Sequence, residues 1–176
     1  AELLGKAAAL WVPSTVDASV VAVAVPAVPR GSISRRRPRG VAGLITPWNF
    51  PVAIPAWKLF PALICGNTIV MKPAGNASLN AAALVRILAE AGLPDGVLNM
   101  VTGPGGAVGD ALVTDPQVKG ISFTGSTSVG LGIQGRAVGK KVQLEMGGKN
   151  PMVVLDDADL DIAVNAALNS GFFSTG

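Results

Sequence analysis

The sequence predicts an α/β fold in which one parallel sheet is doubly wound, with helices on both faces. Three observations carry this. Short apolar runs rich in β-branched residues, such as Val41–Thr46 and Thr68–Met71, have the length and character of strands buried on both sides. Segments of helical spacing alternate with them, most clearly Ser78–Ala91. The strand-like runs end in turn-forming or polar residues: Pro47-Trp48-Asn49, Lys72-Pro73, Gly103, Gly125-Ser126 and Glu145-Met146. Strand–helix alternation implies right-handed βαβ units, and ligands of such sheets bind beyond the carboxyl ends of the strands.

In chain order, Val20–Val28 reads as an extended edge segment, because Pro26 interrupts it and proline belongs on sheet edges. It continues through the arginines that follow. Val41–Thr46 is a strand stopped by Pro47. The stretch Gly40–Trp57 is uncharged over 18 residues, the length of a membrane helix. Pro47, Pro51 and Pro55 recur through it and each removes a helical hydrogen bond, so no membrane span is expected. Thr68–Met71 is a second strand. In the helix Ser78–Ala91, Ser78 supplies a cap, Leu84, Ile87, Leu88 and Ala91 share a face, and Gly92 with Pro94 stops it. Val97–Thr102 is a strand leading into glycines, followed by a short helix to about Val113. Lys119–Thr124 is a strand, and Ser126 opens the next helix. Val142–Glu145 is a strand ending at Gly147-Gly148. Val153–Leu155 is one more, before a helix capped near Asp157.

Composition narrows the chemistry. Of 176 residues, 49% are hydrophobic and 14% charged, which suits one packed domain rather than disorder. Histidine is absent, removing His-based triads, bases and zinc sites. Cys65 is the only cysteine, so no internal disulfide forms and a reducing, cytoplasmic setting fits. The net charge of +3 is uneven: Arg30, Arg35, Arg36, Arg37 and Arg39 are five of the 14 basic residues. No aromatic pattern accompanies them, so the run reads as a solvated edge and no nucleic-acid partner is expected.

Several residues could carry chemistry. Phe123-Thr124-Gly125-Ser126-Thr127 is a strand end, a glycine turn and a helix start, where free N–H groups bind phosphate. A capped helix start without ligand is the alternative. Gly103-Pro104-Gly105-Gly106-Ala107-Val108-Gly109 mimics a dinucleotide fingerprint, but Pro104 removes an N–H and no acid ends a strand about 20 residues on, so it reads as a tight turn. Lys72, after a buried strand, either meets a ligand or acid or snorkels to solvent. Asn49 is either an oxyanion donor or an Asx-turn residue. Glu145, at an otherwise uncharged strand end, is a candidate general base prepared by burial; the alternative is an ion pair with Lys140, Lys141 or Lys149. Asp156, Asp157, Asp159 and Asp161 fit helix capping better than a metal loop, so no metal is expected. Cys65 reads as a buried small hydrophobe.

Together the ordered pieces Pro47-Trp48-Asn49-Phe50-Pro51, Lys72-Pro73-Ala74, Phe123-Thr124-Gly125-Ser126-Thr127 with Gly130, and Leu144-Glu145-Met146-Gly147-Gly148-Lys149-Asn150-Pro151 resemble the aldehyde dehydrogenase superfamily. The match runs from about Arg37 to Gly176. The ending Gly171-Phe172-Phe173-Ser174-Thr175-Gly176 is similar to semialdehyde dehydrogenases.

The resemblance implies a Rossmann-like cofactor-binding domain over residues 38–176, incomplete, with residues 1–37 as a partial N-terminal oligomerisation segment and the catalytic domain absent. It implies NAD or NADP as cofactor, an aldehyde substrate and a homo-oligomeric full-length protein. Asn49 would be the oxyanion amide, Glu145 the general base, Lys72 the ribose ligand and Ser126 the pyrophosphate ligand. The implied cofactor-binding set is Thr46, Pro47, Trp48, Lys72, Ala74, Gly75, Gly105, Gly109, Phe123, Thr124, Gly125, Ser126, Glu145, Met146 and Gly147. Two departures stand out. Gly75 replaces the family's usual ribose-binding Glu, which opens the site to NADP. The family's nucleophile lies in a Gly-Gln-x-Cys run; Gly176 matches its first Gly, so the Cys would fall three residues after this chain. The other functional reading is a non-catalytic nucleotide-binding fragment or pseudoenzyme.

Overall fold

In the computed structural model, residues 37–149 and 151–172 are described. The expected edge segment Val20–Val28 and the arginines at 30, 35 and 36 lie outside them. The described elements are β1 (Val41–Thr46), α1 (Ala53–Ile64), β2 (Thr68–Pro73), α2 (Ser78–Glu90), β3 (Leu98–Met100), α3 (Asp110–Thr114), β4 (Val118–Gly125), α4 (Thr127–Arg136), β5 (Lys141–Met146) and α5 (Leu160–Phe172). A single π turn, Gly105–Gly109, leads into α3.

All five strands are parallel, in the order β3-β2-β1-β4-β5. The chain winds outward from β1 in one direction and then returns to continue on its other side. Right-handed crossovers therefore place α1 and α2 on one face and α3 and α4 on the other. Two buried clusters record this. Leu44, Leu59, Ile69, Met71, Ala81, Leu88 and Leu98 pack beneath α1 and α2. Leu112, Val113, Val118, Ile121, Phe123, Ile133 and Ala137 pack beneath α3 and α4. Fully burying a side chain of this size contributes about 1.5–3 kcal/mol.

Helix α1 does not follow from the sequence pattern, because its prolines argue against it. Pro55 sits in the first turn, where a backbone N–H has no helical acceptor, so it costs little there. Pro61 lies inside the helix, which nonetheless buries Ile54, Pro55, Ala56 and Leu59 against the sheet. Gly66, at φ +79°, closes it by donating to the Leu63 carbonyl.

Three further expectations change. Ser78 does not cap α2: it lies inside the first turn and its hydroxyl donates to the Ala74 carbonyl. Val153–Leu155 is exposed coil rather than strand, since the sheet ends at β5. Asp159, not Asp157, caps α5, its carboxylate accepting the N–H groups of Asp161 and Ile162.

One close approach aims α4. A Cβ at Gly130 would collide with the Met146 sulfur and lie 2.9 Å from Met146 Cγ and 3.3 Å from Phe123 Cε1. Only glycine lets the first turn of α4 settle onto the ends of β4 and β5. Gly135, in the last turn, faces open space. Gly130→Ala should therefore destabilise the protein by about 1–3 kcal/mol, whereas Gly135→Ala should be neutral or stabilising by up to about 1 kcal/mol. Urea midpoints of the two variants check this, and equal shifts would refute the packing account.

Candidate functional site

The parallel registers bring the predicted strand ends to one edge. Thr46 pairs with Pro73 and Ile45 with both Lys72 and Phe123, while Thr124 and Gly125 lie beside Glu145 and Met146. Strands β1 and β4 are neighbours from which the chain departs to opposite faces. Their carboxyl ends form the crevice where such sheets bind ligands.

On the α3/α4 face this crevice opens into a cavity of about 430 Å³. Lys72, Gly105 and Gly109 line it, so the glycine turn read only as a tight turn is one of its walls. Lys72 does not snorkel. It is only 6% exposed, and its ammonium donates a single long hydrogen bond, 3.4 Å, to the Pro73 carbonyl. Gly109 lies beside the lysine stem: a Cβ there would sit 4.0 Å from Lys72 Cδ, at ordinary contact distance. Thr46 is buried and its hydroxyl has no hydrogen-bond partner, although its carbonyl accepts the Ala74 N–H at 2.9 Å. Gly75 is exposed, with open space where a side chain would project.

Ser126 holds the N-cap position of α4, but no side chain caps that end. Its hydroxyl lies 3.4 Å from that of Ser128. The first helical hydrogen bond runs from Gly130 N–H to the Ser126 carbonyl. The N–H groups of Thr127, Ser128 and Val129 therefore have no partner inside the helix, and the macrodipole adds positive potential. The Thr127 hydroxyl donates to the Gly147 carbonyl at 3.3 Å, tying the helix start to the loop after β5. Phe123 is a core residue, 4% exposed, beneath Gly125 and Gly130, and Met146 packs with it. These two shape the turn from within.

The catalytic candidates lie on the other face. Glu145 alternates with Met146, so it shares the α1 side with Gln143. It is exposed, which overturns the expected burial: nothing among the described residues packs over β5 on that side. None of the lysines considered from sequence is its partner. Lys58 of α1 is the cation that feels it. The Lys58 ammonium donates to the Ser122 hydroxyl at 2.9 Å, and Ser122 donates to Gln143 Oε1 at 2.9 Å. Partial burial holds the Lys58 pKa below its ordinary 10.5, and the Glu145 charge pulls it back up. Asn49 and Trp48 are exposed on the bend after β1, with Pro47 half-buried. The bend is held to α1 by Phe50 and Trp57, whose ring centroids are 6.4 Å apart.

Sequence reasoning missed Lys58, which carried no motif signal once α1 was discounted. It also missed Ser128, Val129, Gly132, Ile133, Arg136 and Asp110 around the cavity. The α4 residues share one helical face, a spacing that could have found them. Cys65 is half-buried rather than fully buried. It ends α1 at the opposite edge of the sheet, roughly 18 Å along the helix from the Asn49 bend. Among the described residues no helix is long and apolar enough to cross a membrane, and no group of three or more His, Cys, Asp or Glu is placed to hold a metal.

A parallel 3-2-1-4-5 sheet with a glycine-walled cavity and an uncapped helix start at its switch point is a Rossmann-like nucleotide-binding domain. Residues 12–176 match the aldehyde dehydrogenase family. The chain is similar to the α-ketoglutaric semialdehyde dehydrogenase of Bacillus subtilis, 53% identical over 143 residues, covering 80% of this chain and 29% of that protein. Its structure is similar to that of PnpE in complex with nicotinamide adenine dinucleotide (TM-score 0.78, 42% identity, 81% of this chain and 30% of that one). It is also similar to an E. coli NADP-dependent enzyme (TM-score 0.77, 48% identity, 80% and 30%). The chain belongs to the aldehyde dehydrogenase family, and it spans under a third of the length of these relatives.

The Lys58–Glu145 coupling has a definite sign. Lys58 should titrate below 10.5, and Glu145→Gln, which removes the raising charge, should move it lower still. Because the folded-state value is depressed, Lys58 opposes folding at neutral pH and stability recovers as pH rises toward 10.5. Carbon-detected NMR titration of the lysine ε-carbons checks this; an unchanged or raised Lys58 value in Glu145→Gln would refute it.

Proposed function

We propose that the full-length protein oxidises an aldehyde to a carboxylic acid with NAD+ or NADP+, and that this chain supplies the nucleotide site, the oxyanion donor and the general base. The observation that carries the reading is the cavity on the α3/α4 face, where the buried Lys72 ammonium and the free N–H groups at the start of α4 come together. They suit a dinucleotide: Lys72 would hold the adenosine ribose, and Ser126 with the N–H groups behind it would hold the diphosphate. When bound, the nicotinamide ring supplies the hydride acceptor.

The remaining steps belong to protein groups. A cysteine thiolate from the full-length protein adds to the aldehyde carbon to give a thiohemiacetal. Cys65 stands at the wrong edge of the sheet to do so. The Asn49 amide donates to the oxygen on which charge develops. After oxidation to the thioester, the Glu145 carboxylate takes a proton from water, whose oxygen attacks the thioester carbon and expels the thiolate. The codon three beyond Gly176 should encode Cys in a continuous frame, and Glu145→Gln should lower turnover about 10²–10⁴-fold. Full activity in that variant would refute the base assignment. A homo-oligomer in the cytoplasm completes the reading; native mass and fractionation test it.

The 176 residues alone hold no cysteine at the carboxyl edge, which favours a second statement: by themselves they bind nucleotide without turnover. Aldehyde-dependent NADPH formation by the isolated chain would refute it.

The cofactor choice follows from Lys72 and Gly75. A carboxylate at position 75 would repel a 2′-phosphate, and none is present, while Lys72 can meet the added charge. A charge-assisted bond of this kind contributes about 1.5–3 kcal/mol, of which a third already tilts the preference. NADP+ should be used at least as well as NAD+. Lys72→Ala should weaken NADP+ more than NAD+, and Gly75→Glu, which has room for its side chain, should reverse the preference. The measurement is kcat/KM for both cofactors; a strong NAD+ preference unchanged by Gly75→Glu would refute the assignment.

A further inference from the structure

The outer end of the cavity is closed by an ion pair that the reaction above does not use. Arg136, in the last turn of α4, reaches Asp110, the first residue of α3, with Nη2 3.0 Å from Oδ1. Both residues line the cavity. The guanidinium folds back over the helix, since a Cβ at Gly132 would lie 3.8 Å from Arg136 Nη2. Lys72 and Gly109 meet at the inner end. The α4 residues facing the space, from Ser128 to Arg136, span about 12 Å of helix at 1.5 Å per residue.

Between these charged ends the walls suit a flat, apolar group. Gly105 and Gly106 present no side chain, and nothing lies within 4 Å of where one would project. Val129 and Ile133 face them from α4. A planar heterocycle entering this slot would meet, at its far rim, a carboxylate acceptor beside guanidinium donors. An adenine edge is the complement: its 6-amino group donates, and the ring nitrogens beside it accept. A 6-oxo purine reverses the pattern, with a carbonyl oxygen at position 6 and N1–H beside it.

We propose that the Asp110–Arg136 pair is the specificity element for the base: Asp110 accepts from the adenine 6-amino group while Arg136 holds the carboxylate and donates to the ring. This rests on reading the cavity as the nucleotide site. A surface pair with side chains 46% exposed contributes little to stability by itself, so its loss should be read in base preference and not in melting temperature.

The test uses the full-length protein and two probes, NAD+ and its hypoxanthine analogue, in which the 6-amino group is replaced by oxygen. Calorimetric Kd values should favour the adenine form at least tenfold in the parent. In Asp110→Asn and in Arg136→Gln that ratio should fall below threefold, with the melting temperature of the free protein unchanged. Arg136→Lys, which keeps the charge on Asp110, should retain part of the preference. If the parent does not distinguish the two bases, or if both variants keep its ratio, or if they weaken both probes equally, the pair is only a brace between helices and the proposal is overturned. Lys72→Ala separates this from the reading of the site. If that variant loses affinity for both probes while Asp110→Asn keeps the parent ratio, the cavity is the nucleotide site and the pair does not read the base. If the parent binds neither probe, both readings fall.

Discussion

The position of β1 between β2 and β4 is the constraint on which the remainder of the structure depends. Because all five strands are parallel, every carboxyl end falls on one edge. Because the chain leaves β1 toward β2 but returns to its other side at β4, the helices divide between the faces and cannot close over the point of departure. The crevice at Thr46 and Gly125 is a consequence of topology, present whatever side chains occupy it. Glycine then admits what topology leaves open. At Gly130 the helix start is lowered onto β4 and β5.

The sheet also divides labour between its faces. The cavity with Lys72 lies on the α3/α4 side, whereas Glu145, Lys58, Ser122 and Gln143 lie on the α1 side. An extended dinucleotide reaching both has to cross the carboxyl edge. The Ser126 turn and the Asn49 bend lie on that edge. Strand alternation alone produces this: Leu144 and Met146 face one core, and Gln143 and Glu145 the other side. Two neighbouring residues, Glu145 and Met146, thus face opposite sides of the sheet.

Much of this architecture is legible in the sequence, because strand ends are marked by residues with few conformational choices. Pro47, Pro73 and Gly125 each stop a strand close to where the pattern says, and the strand β4 and helix α4 follow from it directly. What is not legible has physical reasons. Helix α1 is hidden because proline is counted against any helix, while a first-turn proline loses no bond. With α1 discounted, Lys58 had no element to carry it to Glu145. Burial of Glu145 was inferred from its uncharged neighbours, but on a strand those neighbours face alternate sides. The same limit applies to Val153–Leu155 and to α5, where Leu160, Val164, Leu168 and Phe172 are exposed. Their pattern is apolar, but it meets no partner among the described residues. The Asp110–Arg136 contact joins residues 26 positions apart with no motif at either end.

The unfinished polar groups at the carboxyl edge bear on why the site is there at all. A buried hydroxyl without a partner costs about 1–3 kcal/mol, and Thr46 is such a group. A buried lysine with one long bond to a carbonyl is poorly compensated. A protein is stable by only about 5–15 kcal/mol, so these are sizeable losses to concentrate within two neighbouring strands. The rest of the interior shows no comparable tolerance: among the described residues Thr46 holds the only buried side-chain polar atom left unpaired, and Thr46 and Lys72 are the only buried polar or charged side chains. Thr46 pairs with Pro73 and Lys72 with Ile45, so the two groups stand one position apart at the carboxyl edge, on opposite faces of the sheet. The folded protein carries that cost on both faces of the sheet at once. Filling these positions with apolar side chains would remove the cost, as replacing buried polar groups by apolar ones of the same shape generally does.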